Sequence, residues 1–421
     1  MKSVLQVIGS ITGILFFTAS VVFLWARSGQ LADEKLVQTK TYAAPPASPD
    51  RDTFRVMTYN LGHLAGTTDD GTVDRPDSLF STNMDQAVDI IRRANPDIVG
   101  LQNVDFSAAR SGYVHQLDTI ATRLGFASAA QAVNWNKQYV PFSHGRPVVQ
   151  FGRMVSGQGV LSRYPVRRHA RRVLARPPQS FWRDAFYPNR LVQVTVISIG
   201  GWPLVVMNVH FEALDTATRE EQARTVNALY KRLAQQGFPI LLLGNFNGLM
   251  PTVELATPSD DDTIELLLKG TELRPALSPE ETYITGNSSL GTYPADNPRR
   301  KLDYIFYRPQ SIIQTNAETW CGGTPQSKNA SGSPAAHQPQ NRSTPTAVKG
   351  PTRSQDGGVP ISTVEASRPH RDSVANASGN ALPSDHCAVT MTFLLPRPKD
   401  MLPKKRIPGD KLPSLDSLMS P

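Results

Sequence analysis

Residues 203–211 read PLVVMNVHF and residues 239–247 read PILLLGNFN, two apolar runs that each end on amide or imidazole side chains. Runs of this length, rich in Val, Leu and Ile, suit buried strands, and a polar end suits a strand terminus that opens on solvent. Between them Val226, Leu229, Tyr230 and Leu233 follow helical spacing, with Gly237 placed to stop the helix. A strand, a helix and a second strand in succession predict a layered α/β protein.

Outward from this unit the same pattern recurs. FRVMTYN (54–60), IVGLQNV (98–104), GVLSRY (159–164), LVQVTVISI (191–199), LDYIFY (302–307) and CAVTMTFLL (387–395) read as further strands. Met84, Ala87, Val88 and Ile91, and then Leu117, Ile120, Ala121 and Leu124, place amphipathic helices between them. Several strands follow one another with no helix between, so a purely parallel doubly wound sheet is not expected. A chain of 421 residues can bury a full core, and one large domain over 53–396 is the simplest count.

The flanking segments differ in kind. From Ser3 to Ala26 no side chain is charged, and residues 4–26 exceed the roughly 20 needed to cross a bilayer. Residues 1–26 are therefore expected to be a single-pass membrane anchor with the domain outside the cytoplasm. A secretory signal is the other use of such a run, but its apolar core usually spans only about 7–15 residues. Residues 27–52 read as a flexible linker. Residues from about 310 to 383, rich in Ser, Pro, Asn, Thr and Gly, read as a disordered insertion, and residues 397–421 as a basic, proline-rich tail. The net charge of +8 favours anionic partners. Two cysteines, Cys321 and Cys387, exclude a cysteine zinc cluster and a disulfide framework, and leave one bridge open for an oxidising compartment.

Polar residues stand at the ends of the predicted strands: Asn60 in TYNL, Gln102 and Asn103 in LQNVD, Asn208 and His210 in NVH, Asn245 and Asn247 in GNFN, Asp303 in LDYIF, and Asp385 and His386 in SDH. Groups so placed can converge on one rim although far apart in sequence. Their order resembles that of the endonuclease/exonuclease/phosphatase superfamily over about 54–395, the insertion excepted. VDFSAARSGYVHQ (104–116), GVLSRYP (159–165), Arg219 with Gln222, and TYP (292–294) add to the resemblance.

The resemblance implies an α/β fold, a four-layer αββα sandwich of two mixed sheets, here preceded by one transmembrane helix. It implies in-line attack of water on a phosphoester, assisted by magnesium or, in its place, manganese. His386 would contact the phosphate and Asp303 would orient that histidine. His210, Asn245 and Asn247 would serve the reacting group, while Asn60, Asn103 and Asp385 would hold the metal. Two positions depart from the family pattern, with Asn103 where it has glutamate and Asn245 where it has aspartate. Each keeps the shape and loses a negative charge, so Asn245 cannot act as a general base. Asp105, Glu212 and Asp215 are the nearby carboxylates that could compensate.

The expected function is that of a membrane-anchored, metal-dependent phosphoester hydrolase. Its substrate would be a nucleic acid, a phosphorylated small molecule or a phospholipid head group. A weakened or inactive relative that binds a phosphorylated ligand or nucleic acid in the same cleft is the other reading. Arg110, Arg163, Arg190, Arg299 and Arg300 are candidates for phosphate contacts at the rim.

Overall fold

Two mixed sheets form the centre of the computed structural model, which describes residues 2–48, 51–67, 77–141, 151–250, 260–277, 290–326 and 382–396, with Leu415 and Met419. In chain order the first strands are β1 (Val37–Thr41), β2 (Thr53–Asn60), β3 (Ile98–Asp105), β4 (Ser128–Val140) and β5 (Gly152–Ser162). Next come β6 (Val166–Val173), β7 (Leu191–Ile199), β8 (Trp202–His210) and β9 (Ile240–Asn245). The last are β10 (Arg274–Pro275), β11 (Asp303–Tyr307), β12 (Ile313–Cys321), β13 (Thr324–Gln326) and β14 (Ala388–Leu394). The helices are α1 (Lys2–Arg27), α2 (Asp77–Ala94), α3 (Gln116–Leu124), α4 (Phe181–Asp184), α5 (Thr216–Gln235) and α6 (Thr263–Leu268).

One sheet has eight strands in the order β1-β4-β5-β3-β2-β14-β12-β13, and the other six in the order β10-β11-β9-β8-β7-β6. Apolar side chains fill three large clusters, which fixes the layering. Met84, Val88 and Ile91 of α2 and Leu117 and Ile120 of α3 pack on Val99 and Leu101 of the first sheet. Val56, Ile98, Val206, Leu243, Ile305 and Met391 interdigitate between the sheets. Val226, Leu229 and Leu233 of α5 cover Met207 and Leu242 on the outer face of the second sheet. The result is the αββα sandwich, and each fully buried aliphatic side chain contributes about 1.5–3 kcal/mol.

Register carries the polar strand ends to a common rim. The pairs β2–β3 and β8–β9 are parallel, so Asn60 lies beside Gln102 and His210 beside Asn245. β11 runs antiparallel to β9, which sets its first residue, Asp303, opposite Asn245. Gly244, at φ 141°, allows the approach of β8, since a Cβ there would lie 2.0 Å from the Val209 carbonyl oxygen.

Buried amides tie the two sheets together. Gln102 Nε2 donates to Asn208 Oδ1 at 2.7 Å, and Asn208 Nδ2 contacts the Leu101 and Gly159 carbonyl oxygens and Gln193 Oε1 at 3.0–3.2 Å. Gln158 Nε2 donates to the Asn208 carbonyl at 3.0 Å. All four of these side chains are fully buried, and an amide left unpaired at such depth costs about 1–3 kcal/mol.

Three boundaries read from the sequence change. The expected linker over 27–52 is not free, because β1 pairs with β4 from Val37–Ala132 to Thr41–Ser128 and residues 28–31 bond to residues 136–138. The insertion begins later than 310. β12 pairs with β14 and β13 with β12, and the polar side chains of β12 suit a strand close to a sheet edge. The chain divides into one unit of residues 1–328 and 381–421 and another of residues 329–380, and the latter lies outside the described residues. Of the tail, Leu415 and Met419 are buried with the cluster on the outer face of the second sheet.

α1 is long and apolar enough to cross a membrane, and the domain does not cover it. Its side chains, from Val4 to Leu24, stand largely exposed, and its ring contacts with the described part of the domain come from Phe23 and Trp25 near its C-terminal end.

Candidate active site

The SDH segment is fixed before it presents any chemistry. Ser384 Oγ donates to the Asn60 carbonyl at 2.7 Å and accepts from the His386 amide at 3.1 Å. The Asp385 carbonyl accepts from the Ala295 amide, and the Cys387 amide donates to the Thr292 carbonyl, both at 2.8 Å. Thr292 Oγ1 in turn accepts from the amides of Leu302 and Asp303, so the TYP turn aligns His386 with β11. A disulfide joins Cys321 at the end of β12 to Cys387.

These contacts set His386 Nδ1 2.8 Å from Asp303 Oδ2. Burial opposes charge on the ring, but the Asp303 carboxylate, aided by Asp385, outweighs it and holds the histidine above its ordinary pKa. Asp303 is fully buried, and its other oxygen has no hydrogen-bond partner among the described residues. Tyr293 packs on the His386 ring at 4.9 Å between centroids. Asn245 Nδ2 lies 3.2 Å from Nδ1 and 3.5 Å from Nε2 of the same ring. The Asn245 oxygen faces the other way and accepts from the Asn247 amide at 3.1 Å. Asn247 adopts a left-handed backbone at φ 51° and donates from Nδ2 to the Phe211 carbonyl at 2.9 Å.

His210 shows the opposite electrostatics. Burial first, then the charges of Arg190, His386 and His63, push it well below the ordinary histidine pKa, so it stays neutral. Arg190 Nη1 lies 3.1 Å from Nε2 and 3.3 Å from Nδ1 of this ring. Arg190 also faces Glu212, which accepts from the Tyr187 hydroxyl at 2.7 Å. The rim thus holds one imidazole favouring its charged form and one held neutral.

On the other side of the rim two of the three residues expected to bind metal, Asn60 and Asn103, are bonded to each other. Asn60 Oδ1 accepts from the Gly62 amide at 3.1 Å and from Asn103 Nδ2 at 3.0 Å. An amide hydrogen therefore lies where a carboxylate at 103 and Asn60 would need a cation between them. Only Asp385 among the three is anionic, whereas a hard divalent ion gains most from anionic oxygens. Among the described residues no three His, Cys, Asp or Glu side chains group so as to hold a metal ion. The donor set does not fit a resident magnesium or manganese ion.

The nearby carboxylates do not replace the missing ones. A bulge interrupts β3 between Leu101 and Val104 and puts Asn103 at φ 52°, so the alternation that would bring Asp105 to its face is broken. Asp105 is engaged by Arg110 Nη2 at 2.7 Å, Ser111 Oγ at 2.8 Å and His63 Nδ1 at 3.3 Å. Its burial is outweighed by Arg110 and His63, which hold its pKa well below the usual carboxylate range. Glu212 is held by Arg190 and Tyr187, and Asp215 caps α5 through the Thr218 amide.

Other sequence candidates separate. Gln102 and Asn208 face the space between the sheets rather than the cleft. Arg190 and Arg110 stand at the rim, but Arg163 bonds to the Pro96 and Leu124 carbonyls at the far end of the sheets. Arg299 and Arg300 are exposed beside Tyr293, whose carbonyl accepts from both of their amides. Neither His63 nor Lys301 belongs to a run or a repeat, so nothing in the sequence marks them. Lys301 is buried next to Asp303, and burial pulls its pKa down to about 7.

The description "Endonuclease/Exonuclease/phosphatase family" belongs to the sequence family that matches residues 57–386, which includes every one of these rim residues. The chain belongs to the endonuclease/exonuclease/phosphatase family. Family members are phosphoester hydrolases and in general depend on divalent metals. Similar solved structures include an endonuclease/exonuclease/phosphatase from Beutenbergia cavernae, at 16% identity and TM-score 0.47 over 82% of this chain and 72% of that one. The human Nocturnin catalytic domain with bound sulfate is 14% identical at TM-score 0.46, over 86% of this chain and 98% of that one. The mannosyl-6-phosphatase of Bacteroides thetaiotaomicron is 15% identical at TM-score 0.46, over 81% and 100% respectively. No curated protein matches by sequence.

Proposed function

We propose that this chain is a phosphoester hydrolase that holds a phosphate between His386 and His210 at the shared rim of its two sheets. The observation that carries this reading is the buried pair of His386 and Asp303, 2.8 Å apart, with Asn245 against the same ring. In its charged form His386 donates a hydrogen bond to a phosphate oxygen from Nε2 while Asp303 fixes Nδ1, a charge-assisted contact that strengthens as negative charge develops. Neutral His210 and the Arg190 guanidinium face the same space. Together they supply a donor and a positive charge for the in-line transition state. Asn247 orders the turn beyond β9.

With an amide at 245 in place of a carboxylate, no anionic base addresses the attacking water. Turnover is accordingly expected to be slow, since a positioned base typically contributes about 10²–10⁴-fold. We place the domain outside the cytoplasm behind a membrane-spanning α1, a reading that the disulfide between Cys321 and Cys387 favours, because such bridges persist in oxidising compartments.

Hydrolysis of bis(4-nitrophenyl) phosphate by the purified chain, with magnesium, with manganese and with chelator, tests the proposal. Measurable turnover that His386→Ala abolishes is the expected result. A silent wild type beside an active Asn103→Glu, Asn245→Asp double variant would overturn it, leaving a binding cleft in its place.

A further inference from the structure

The end of the sandwich that carries the rim is also the end to which α1 is fastened. β4 and β3 both pair antiparallel with β5 and therefore point the same way, and Trp135 and Asp105 both face Ser156. Residues 136–140 thus project past the rim. There the Arg27 carbonyl accepts from Lys137 Nζ at 3.0 Å, the Ser28 carbonyl from the Gln138 amide at 2.8 Å, and Asn136 Oδ1 from the Gln30 amide at 2.8 Å. No slack remains between the end of the apolar helix and this corner of the domain.

Beside that corner stands an aromatic cluster that the described residues leave largely exposed. Phe181 and Trp182 of α4 are 59% and 65% exposed, yet their rings lie 5.2 Å and 4.8 Å from that of Phe23 in α1. Phe186 closes the group at 5.7 Å from Phe23, and Trp25 stacks on Tyr139 at 6.3 Å. Arg27 and Arg183 are exposed among these rings. Rings of this kind, flanked by arginine, favour the boundary between head groups and acyl chains. The connection that carries them runs on into Tyr187 and Arg190, which contact Glu212 and His210 in the cleft.

We propose that Phe181 and Trp182 form a second contact with the bilayer that α1 enters, so that the cleft opens toward the head groups and takes a phosphoester displayed at the membrane surface. The occupant is the lipid surface, because the exposed rings are continuous with the uncovered face of α1. The choice of a membrane-borne phosphoester rests on the hydrolase reading above, whereas the contact itself does not.

The test uses the full chain in nanodiscs of phosphatidylcholine and phosphatidylserine. Cys321 and Cys387 are paired, so Trp182→Cys offers one reactive thiol for an environment-sensitive fluorophore, and Gln235→Cys offers the same at the far end of α5. The expected result is a blue-shifted label at 182 that lipid-borne quenchers reach, and a label at 235 that remains in water. Labels that both report water would overturn the proposal. In a second arm, Phe181→Glu with Trp182→Glu is expected to lower hydrolysis of phospholipid in vesicles by about tenfold or more while leaving bis(4-nitrophenyl) phosphate turnover unchanged. Equal losses on both substrates would count against a docking role. If the wild type hydrolyses neither substrate while the label at 182 lies in lipid, the hydrolase reading fails and the membrane contact stands.

Discussion

His386 and Asp303 form a pair whose charge state has a direct kinetic consequence. Because Asp303 raises the histidine above its ordinary 6.5, the charged ring persists below that raised value and is lost as pH rises through it. Asp303→Asn is expected to move the alkaline limb of the activity profile to lower pH and to cut kcat by about 10²–10⁴-fold, with KM less affected. Steady-state kinetics across pH on a soluble diester checks both effects. An unchanged limb would show that the carboxylate does not govern this proton. At this scale the sequence was informative about identity and weak about orientation. SDH, NVH and GNFN named residues that do meet at the rim, but the bulge at Asn103 defeats the alternation that put Asp105 on its face. Nothing in the sequence indicates that Asn245 turns its amide nitrogen toward His386, because that direction is set by the Asn247 amide two residues on.

Among the secondary-structure elements, the strands legible in the sequence were those buried on both faces. β2, β3, β7, β8, β9 and β14 are buried along nearly their whole length because layers cover them on each side. β6, with four arginines in VRRHARRV, and β12, in IQTNAETWC, lie at or near sheet edges with polar side chains outward, and such segments read as loops. β1, in VQTKT, is an exposed edge strand and is polar for the same reason. The disulfide between β12 and the start of β14 belongs to this scale too. It closes a sequence separation of 66 residues, for which chain entropy gives roughly 4 kcal/mol. Replacing both Cys321 and Cys387 with serine is expected to lower thermal stability and, by loosening the SDH segment, to reduce turnover more than substrate binding. Calorimetry together with the kcat and KM values reads the two effects separately. An unchanged melting temperature would mean that the hydrogen bonds around Ser384 and Thr292 suffice to hold the segment.

For the whole molecule, the fastening of residues 28–31 to residues 136–138 matters more than any one contact, because with α1 in a bilayer, as proposed above, it would set the height of the cleft over the lipid. A flexible glycine and serine insert between Ser28 and Gln30 is expected to leave hydrolysis of a soluble diester intact and to lower hydrolysis of substrate in vesicles, which a paired assay measures. Equal rates with and without the insert would show that height is immaterial. The sequence supplied the ordered domain and the apolar segment but not their join, since a polar stretch such as residues 27–52 reads alike whether it is free or laid along a strand. The amides of Gln102, Gln158, Gln193 and Asn208 act at this largest scale as well. Donors and acceptors there match in only one alignment, so sliding either sheet by a residue would strand several of them without water. The gap between His210 on one sheet and Asn60 on the other is therefore held at a constant span, and adaptation to ligands of differing bulk falls to the connections above the strands rather than to the strands themselves.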